Sequence, residues 1–298
     1  MLDAALLESL PRFITPLLLA SLAGALCHRA AVFNIALEGM LLIGAFAAVA
    51  GSWASGSWLG GVALAMLAGS LTGLAYALFA IHRGGDDIVV SIGLNFLAIG
   101  LSVFLLQLVF DTRGQFDDPG IEAIPRLPLP FLEPVPVLGA LLNDQSLLFW
   151  FAIVLTGSLA YLLGHHRLGL RLRASGDNPE ALRTAGVSPD RLRGGALVAS
   201  GVLCGLAGAQ LSISNVTLFT EGMSAGRGWI AVVIVLMCNG RPSWILPTAC
   251  LFGTIEALGF RIQGLGLPQQ FTDALPYVVA LLVLALVTAR RRRAAVAH

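Results

Sequence analysis

The chain has 298 residues, of which 57% are hydrophobic and only 12% are charged, and its formal net charge is +1. This composition is too apolar for a soluble globular domain, and the apolar residues lie in long runs, as a membrane protein requires. All eighteen basic residues are arginine. Because a P-loop and a Schiff-base enzyme both need a lysine, the sequence excludes both of these functions.

Apolar runs that are candidate membrane spans occur at nine places along the chain. They are 12–27, 35–51, 58–81, 88–110, 147–164, 194–213, 228–239, 243–260 and 273–289. The second and the seventh are short for a hydrocarbon core of about 30 Å. Such short or interrupted spans are stable only where they face protein or a water-filled cavity. The sequence therefore predicts one all-α, polytopic membrane domain over 1–298, with about nine spans (eight to ten), some of them broken or re-entrant.

The loop 111–146 separates the fourth and fifth runs and is rich in proline and in carboxylates. This composition is typical of extended chain and not of a further span. We expect it to form an external lid.

An inverted repeat is a second expectation, because with nine spans the first four and the last four have opposite topology about the fifth. Two weakly similar stretches, which begin at Asn34 and Phe219, lead into the two short runs. Inverted repeats with helices broken at matching places are typical of transporters, whose substrate site lies between the repeats.

The polar segment 164–194 carries six arginines, so it must lie in water. If it is cytoplasmic and the spans alternate, thirteen arginines lie inside and five outside. That bias follows the positive-inside rule. It predicts a cytoplasmic loop over 165–193, an external N-terminus and a cytoplasmic C-terminus.

A short helix of about two turns is predicted within this loop, over 179–185. Asp177 or Asn178 can cap it, and Pro179 suits the first helical position. Gly186 can end it in the left-handed conformation. Because so short a helix is marginal alone in water, we expect it to rest on another protein.

Polar side chains in or beside the spans are candidates for a translocation path. They are Asn34, Glu38, Asn95, Gln107, Gln210, Asn215 and Glu256. Asn34 and Glu38 share a helix face, but they could equally start a helix as cap and first-turn acid. Buried amides often only join helices. Glu256 lies about 20 Å into its span, where a carboxylate lines a cavity or forms an ion pair; Arg261 is near but poorly spaced to be its partner.

Catalytic and metal sites are not predicted. The four cysteines have no paired spacing and fit small buried hydrophobes: Cys27, Cys204, Cys238 and Cys250. The neighbouring His165 and His166 point apart on a helix. Since no His, Cys, Asp or Glu constellation has catalytic spacing, a membrane enzyme is disfavoured.

Three stretches resemble the bacterial ABC-importer permeases for nucleosides and simple sugars, of the ribose and branched-chain amino acid type. They read NIALEGMLLIGAFAA from Asn34, GLRLRASGDNPEA from Gly169 and FTEGMSAGRGWIA from Phe219. A closing LPYVV followed by basic residues also matches, so the resemblance covers nearly the whole chain. The sequence departs from the family at MCNGRPSW (237–244), where a more apolar, glycine-rich turn is expected.

The resemblance implies a coupling helix that docks in a groove of an ATPase subunit. The matching residues here are Gly176, Asp177, Asn178, Pro179, Glu180, Ala181, Ala185 and Gly186. It also implies a second permease chain, identical or homologous, and two ATPase domains that hold ATP and Mg. An external substrate-binding protein or lipoprotein completes the assembly, in the bacterial inner membrane. No cofactor is expected in this chain.

The sequence therefore predicts the permease subunit of an ATP-driven ABC importer that moves nucleosides, with a simple sugar such as ribose or galactose as the alternative. A neutral solute suits the amides of the candidate path, whereas an anion would need arginines deep in the spans, and the sequence indicates arginines only at the interfaces. The rival is a secondary transporter or channel that works alone. It would use a membrane carboxylate such as Glu256 and would need no docking helix.

Overall fold

The computed structural model describes residues 4–129 and 136–263, together with 274, 277–279 and 281. Its helices are α1 (Ala4–Arg29), α2 (Leu37–Ser55), α3 (Trp58–Tyr76), α4 (Asp87–Phe110), α5 (Pro136–Leu142), α6 (Leu147–His165), α7 (Arg167–Asp177), α8 (Pro179–Thr184), α9 (Pro189–Ala209), α10 (Arg227–Met237) and α11 (Pro242–Gln263). Two π-helical segments, Ala77–His82 and Gln210–Ser214, continue α3 and α9.

Seven of these helices are long and apolar enough to cross a membrane: α1, α2, α3, α4, α6, α9 and α11. The shorter apolar helix α10 occupies the predicted span 228–239. The predicted ninth span, 273–289, lies mostly outside the described residues. The prediction of an all-α, polytopic membrane protein is confirmed.

α3 and α9 cross in close contact, where Gly69 faces Gly201. A Cβ added to Gly201 would lie 2.0 Å from the carbonyl oxygen of Gly69, and one added to Gly205 would lie 2.2 Å from that of Ala65. Small residues at such a crossing let two backbones touch, which is how helices in a membrane gain packing energy. The outer faces of α3, α4 and α6 carry exposed large apolar side chains, as a surface in contact with lipid or another membrane chain requires.

Two helices begin inside the bundle and not at its end. After α1, the chain over 30–36 returns without helical structure before α2 starts. After β4 (Leu218–Thr220), a series of turns leads to the start of α10. The two helix starts meet, since a Cβ added to Gly228 would lie 2.4 Å from the Cα of Glu38. At 1.5 Å per residue the 11-residue α10 is about 16 Å long, half of a hydrocarbon core.

The order of these elements recurs along the chain. The series α1, α2, α3 and the series α9, α10, α11 each contain a long helix, a helix that begins inside the bundle, and a further long helix. Only α10 is short, with 11 residues; α2 has 19 residues and is long enough to cross a membrane, so the expectation of a short second span is wrong. α3 packs against α9, and α1 packs against α11. The inverted repeat about the stretches that begin at Asn34 and Phe219 stays a prediction, and this order of helices agrees with it.

The loop 111–146 forms no span, as predicted, but its described part is more folded than an extended lid. It contains β1 (Gln115–Asp117), β2 (Arg126–Leu127) and β3 (Gln145–Ser146) as well as the short helix α5. β1 pairs antiparallel with β4, and β2 pairs antiparallel with β3. The buried Phe116 stacks on Phe110 at 3.8 Å between ring centroids, which joins this loop to the end of α4. The buried apolar residues of the loop, Phe116, Ile121 and Ile124, therefore join the main hydrophobic core.

Candidate functional site

Glu38 joins the starts of α2 and α10, the two helices that begin inside the bundle. Its side chain is buried, and its two oxygens accept the backbone N–H groups of Gly226 at 2.9 Å and Gly228 at 2.7 Å. The first N–H groups of a helix have no partner within the helix and carry partial positive charge. Gly226, the N-cap residue of α10, has no side chain with which to satisfy them. The carboxylate of α2 therefore caps α10.

The amides of Asn34 and Asn95 hold the non-helical chain that precedes α2. Asn95 donates to the carbonyl oxygen of Ile35 at 3.1 Å and accepts from the N–H of Gly39 at 2.8 Å. Asn34 donates to the hydroxyl of Ser200 at 3.1 Å. Both amides are buried and satisfy backbone or side-chain groups of other elements. This geometry favours the interpretation that they join helices.

Gln210 and Asn215 form a second polar cluster, at the far end of α9. The hydroxyl of Ser146 donates to Gln210 Oε1 at 2.9 Å, and Gln210 Nε2 donates to Asn215 Oδ1 at 3.1 Å. Asn215 in turn donates to the carbonyl oxygen of Arg12 at 3.1 Å. This chain of hydrogen bonds connects α6, the π-helical end of α9 and α1.

Gln107 belongs to neither cluster. It lies on the exposed face of α4, beside the exposed Phe104 and Leu108. Within one chain, the structure therefore does not bring Gln107 to the other candidate path residues. Its place in a path stays a prediction that concerns the assembly with a second chain.

Glu256 forms an ion pair with an arginine that sequence reasoning placed in an external segment. Its Oε1 lies 2.5 Å from Nη2 of Arg227, and the two side chains are 16% and 17% exposed. The expectation that arginines lie only at the interfaces is therefore wrong for Arg227. The reason is that the chain over 221–226 runs into the bundle before α10 begins. The short apolar run of twelve residues beside Arg227 indicated an interrupted span, but not that the segment before it enters the bundle or that Arg227 pairs with Glu256.

A cavity of about 450 Å³ lies next to Arg227. Its walls come from α1, the π-helical end of α9, the segment that leads into α10, and α11. The cavity contains both charged and aromatic side chains, among them Arg12, Phe13 and Phe260. Among the described residues, Asn215 and Arg227 both line this cavity.

The predicted coupling helix is present as α8, over Pro179–Thr184. Asn178 caps it, since its Oδ1 accepts the N–H of Ala181 at 3.1 Å. Gly186 follows it in the left-handed conformation, with a φ of 76°. Leu182 is buried against the bundle, whereas Ala181 faces outward. Ala185, which follows α8 directly, is exposed as well. The predicted helix end at residue 185 is thus one residue too late, and the outer face of α8 is exposed within the described part of the chain.

α7 is a helix that the sequence reading missed, and it contains Gly176 and Asp177 of the predicted coupling residues. The backbone carbonyl oxygen of Ser175, in α7, accepts a hydrogen bond from Nη2 of Arg193 at 2.6 Å. A Cβ added to Gly176 would lie 2.9 Å from that of Ala31. Two residues were predicted as possible N-caps of α8. Asn178 is the cap, and Asp177 is instead the last residue of α7. The spacing of the buried Gly169, Leu172 and Ser175 is the helical signal that the arginines obscured.

The turn at 237–244, where the sequence departs from the resembled family, packs against the end of α1. Asn239 and Gly240 adopt positive φ angles of 50° and 59°. Nε of Arg29 donates to the carbonyl oxygen of Gly240 at 2.8 Å. A Cβ at Gly240 would lie 2.8 Å from Nδ1 of His28. The single glycine of this turn therefore lies where a larger residue would collide with the His28 side chain.

Among the described residues, no group of three or more His, Cys, Asp or Glu side chains is arranged to hold a metal ion. Three of the four cysteines are buried and the fourth is partly buried, and all four are free thiols.

Comparison with known proteins supplies the family. A model of the branched-chain amino acid transport system / permease component matches residues 6–285. The chain belongs to this permease family. The permease is 33% identical to the nucleoside ABC transporter permease protein NupC of Lactococcus lactis, over 92% of this chain and 89% of the relative. It is 30% identical to the guanosine ABC transporter permease protein NupQ of Bacillus subtilis, over 91% and 88%.

A glucose ABC transporter permease protein, TsgB13 of Haloferax volcanii, is 28% identical to the permease over 92% of this chain and 73% of the relative. Among solved structures, that of an ABC transporter in an inward-facing conformation matches with a TM-score of 0.52 and 16% identity, over 94% of this chain and 86% of the other. At that identity the likeness shows the fold alone.

The predicted class of function is thereby confirmed. The permease is the membrane-spanning subunit of an ABC importer, and ATP hydrolysis takes place on a separate subunit. Because the chain belongs to this family, the alternatives of a stand-alone transporter and a membrane enzyme no longer apply.

Proposed function

We propose that the permease carries nucleosides across the membrane. The observation that carries this proposal is that two relatives named for nucleosides or guanosine are at least 30% identical over about nine-tenths of this chain. The polar chemistry inside the bundle supports a neutral solute. Arg227 forms an ion pair with Glu256, so the two side chains together present no net charge to a passing molecule. A simple sugar is the second candidate, because TsgB13 is named for glucose.

The permease is proposed to act in an assembly with a second permease chain, two ATPase domains and an external substrate-binding protein. ATP and Mg would bind on the ATPase domains. The exposed face of α8 supports docking at Glu180, Ala181 and Ala185, since these side chains contact little in this chain. In this assembly, closure of the ATPase domains would push on α8, and α7 would transmit the push to the bundle through Gly176 and Ser175.

The proposed location is the bacterial inner membrane, with the N-terminus outside and the C-terminus in the cytoplasm. The arginine bias supports this orientation, and it becomes stronger once Arg227 is removed from the external count. Single cysteines introduced as Gly120→Cys and Glu180→Cys should react with an impermeant thiol reagent from opposite sides. Reaction of both from the outside would refute the orientation.

Uptake in a bacterial host tests the substrate. Deletion of the gene for this chain should abolish uptake of at least one radiolabelled nucleoside, and the chain should restore it when the ATPase and the binding protein are present. The control is uptake of glucose in the same cells. Loss and restoration of glucose uptake with nucleoside uptake unchanged would overturn the substrate and leave the permease function intact.

A further inference from the structure

The cavity beside Arg227 has the size and the position of a solute site. Its volume of about 450 Å³ lies within the range of roughly 300–1,000 Å³ that is usual for small-molecule pockets. One end is formed by Arg12 and Thr220. Thr220 belongs to β4, which pairs with β1 of the loop 111–146, so this end lies beside that loop. The other end is formed by Arg227, at the start of α10 and next to the buried carboxylate of Glu38. The cavity therefore leads from one end of the bundle toward its interior.

One wall of this cavity is aromatic. Phe13 of α1 and Phe260 of α11 both line it, with ring centroids 5.9 Å apart and ring planes inclined by 48°. Two inclined rings that touch offer a face and an edge to a flat molecule that packs against them. Stacking of a nucleobase on an aromatic side chain depends little on which base is present.

The remaining polar groups of the cavity suit hydroxyl and amide partners. The carboxamide of Asn215 and the hydroxyl of Thr220 both border the space. Arg227 adds guanidinium N–H donors at the cavity wall, beside its ion pair with Glu256.

The charge at the inner end of the cavity argues for a neutral group there. At its inner end the charge of Arg227 is balanced by Glu256 at 2.5 Å. An anion drawn to Arg227 would compete with this carboxylate, and a cation would be repelled by the arginine. A neutral solute can accept a hydrogen bond from the guanidinium without breaking the ion pair.

We propose that this cavity is a solute-binding site within the permease chain itself, which accepts a neutral molecule with a flat ring and several hydroxyl groups. This inference rests on the proposed function, in which that molecule is a nucleoside. The ring packs against Phe13 and Phe260, and the hydroxyl groups meet Thr220, Asn215 and Arg227. The site would hold the solute between its release from an external binding protein and its passage past α10.

Protection from a thiol reagent tests the site directly. The variant Thr220→Cys, in the complete transporter in lipid nanodiscs, is treated with a membrane-impermeant maleimide, and the parent chain gives the background from the four native cysteines. Millimolar nucleoside should slow the labelling at least about fivefold, whereas the corresponding nucleoside 5′-monophosphate should not. Gly120→Cys, on the exposed part of the loop that contains β1, is the matched control and should label at the same rate with and without nucleoside.

A second variant separates binding from damage to the fold. Phe260→Leu should raise the nucleoside concentration that gives half protection of Thr220→Cys by about tenfold, which corresponds to about 1.4 kcal/mol of lost stacking. Phe151→Leu, which removes an exposed ring of α6, should leave that concentration unchanged. Equal effects of the two substitutions would refute the aromatic wall.

The outcomes distinguish this inference from the proposed function. Wild-type uptake is measured first and decides whether nucleosides are carried. A nucleoside that is carried but gives no protection overturns the cavity and leaves the proposed function standing. Protection by a nucleoside that is not carried overturns the proposed function and leaves the cavity standing. Absence of both uptake and protection overturns both, and protection by the monophosphate as strong as by the nucleoside overturns the neutral character of the site.

Discussion

Replacement of Glu38 by leucine is expected to abolish uptake and to lower the thermal stability of the permease. The substitution removes both acceptors of the Gly226 and Gly228 N–H groups at the buried start of α10. Each buried donor left without a partner costs about 1–3 kcal/mol, so the combined loss is a large fraction of the stability of a typical domain. Uptake by cells and the melting temperature of the purified protein measure the two effects.

Two comparisons test the cause of this loss. Glu38→Gln keeps one acceptor oxygen at the same position, so it should retain part of the uptake and most of the stability. Glu221→Leu removes a carboxylate that accepts the N–H of Gly114 at 2.9 Å at an exposed site, and its effect should be small because water can replace the acceptor. If Glu38→Leu melted at the wild-type temperature and carried solute normally, the capping of α10 by Glu38 would have no functional role.

A tryptophan in place of Ala181 or Ala185 is expected to reduce uptake at least about tenfold without loss of the folded protein. Both residues are small and exposed, on or just beyond the outer face of α8, whereas Leu182 on the opposite face is buried. A large side chain on the outer face should prevent close docking of the ATPase, because an interface packed at protein density cannot accommodate the added volume. The measurements are uptake and the ATPase activity of the reconstituted transporter, with and without loaded binding protein.

The coupling variants have a control of matched position. Ala181→Ser changes the polarity of the site but hardly its size, so uptake should stay near the wild-type rate. In the tryptophan variants, ATP hydrolysis should no longer respond to the loaded binding protein. Normal transport by both tryptophan variants, together with normal assembly, would show that the ATPase docks on another part of the loop 165–193.

The parts of this fold that follow from local chemistry were accessible from the sequence. The cap at Asn178, the proline at 179 and the left-handed glycine at 186 act within a few residues, and each is found where the pattern placed it. The long apolar helices follow from composition in the same way, since a bilayer requires about twenty apolar residues for each crossing.

The parts that depend on contacts between distant segments were not accessible. Arg227 is separated from Glu256 by almost thirty residues, and Glu38 is separated from Gly228 by 190. The residues around Arg227 and Glu256 do not show that the chain over 221–226 enters the bundle. The ion pair of Arg227 with Glu256 depends on that entry. For the same reason, the sequence proposed a shared path for amides that the structure divides into two clusters and one isolated residue, Gln107.

The contact of α3 with α9 has a consequence for how the permease can move. With Gly69 and Gly201 in backbone contact, neither helix can slide along the other without a carbonyl oxygen meeting the opposing chain. These two helices are therefore expected to travel as one rigid body when the transporter changes between its outward-open and inward-open states. The relative motion must then be taken up elsewhere, and the joint between α2 and α10 is suited to it. There the two helix starts meet at one point, where Gly228 contacts Glu38 and the Glu38 carboxylate accepts two hydrogen bonds, so α10 can pivot about this point while the α3–α9 crossing stays closed.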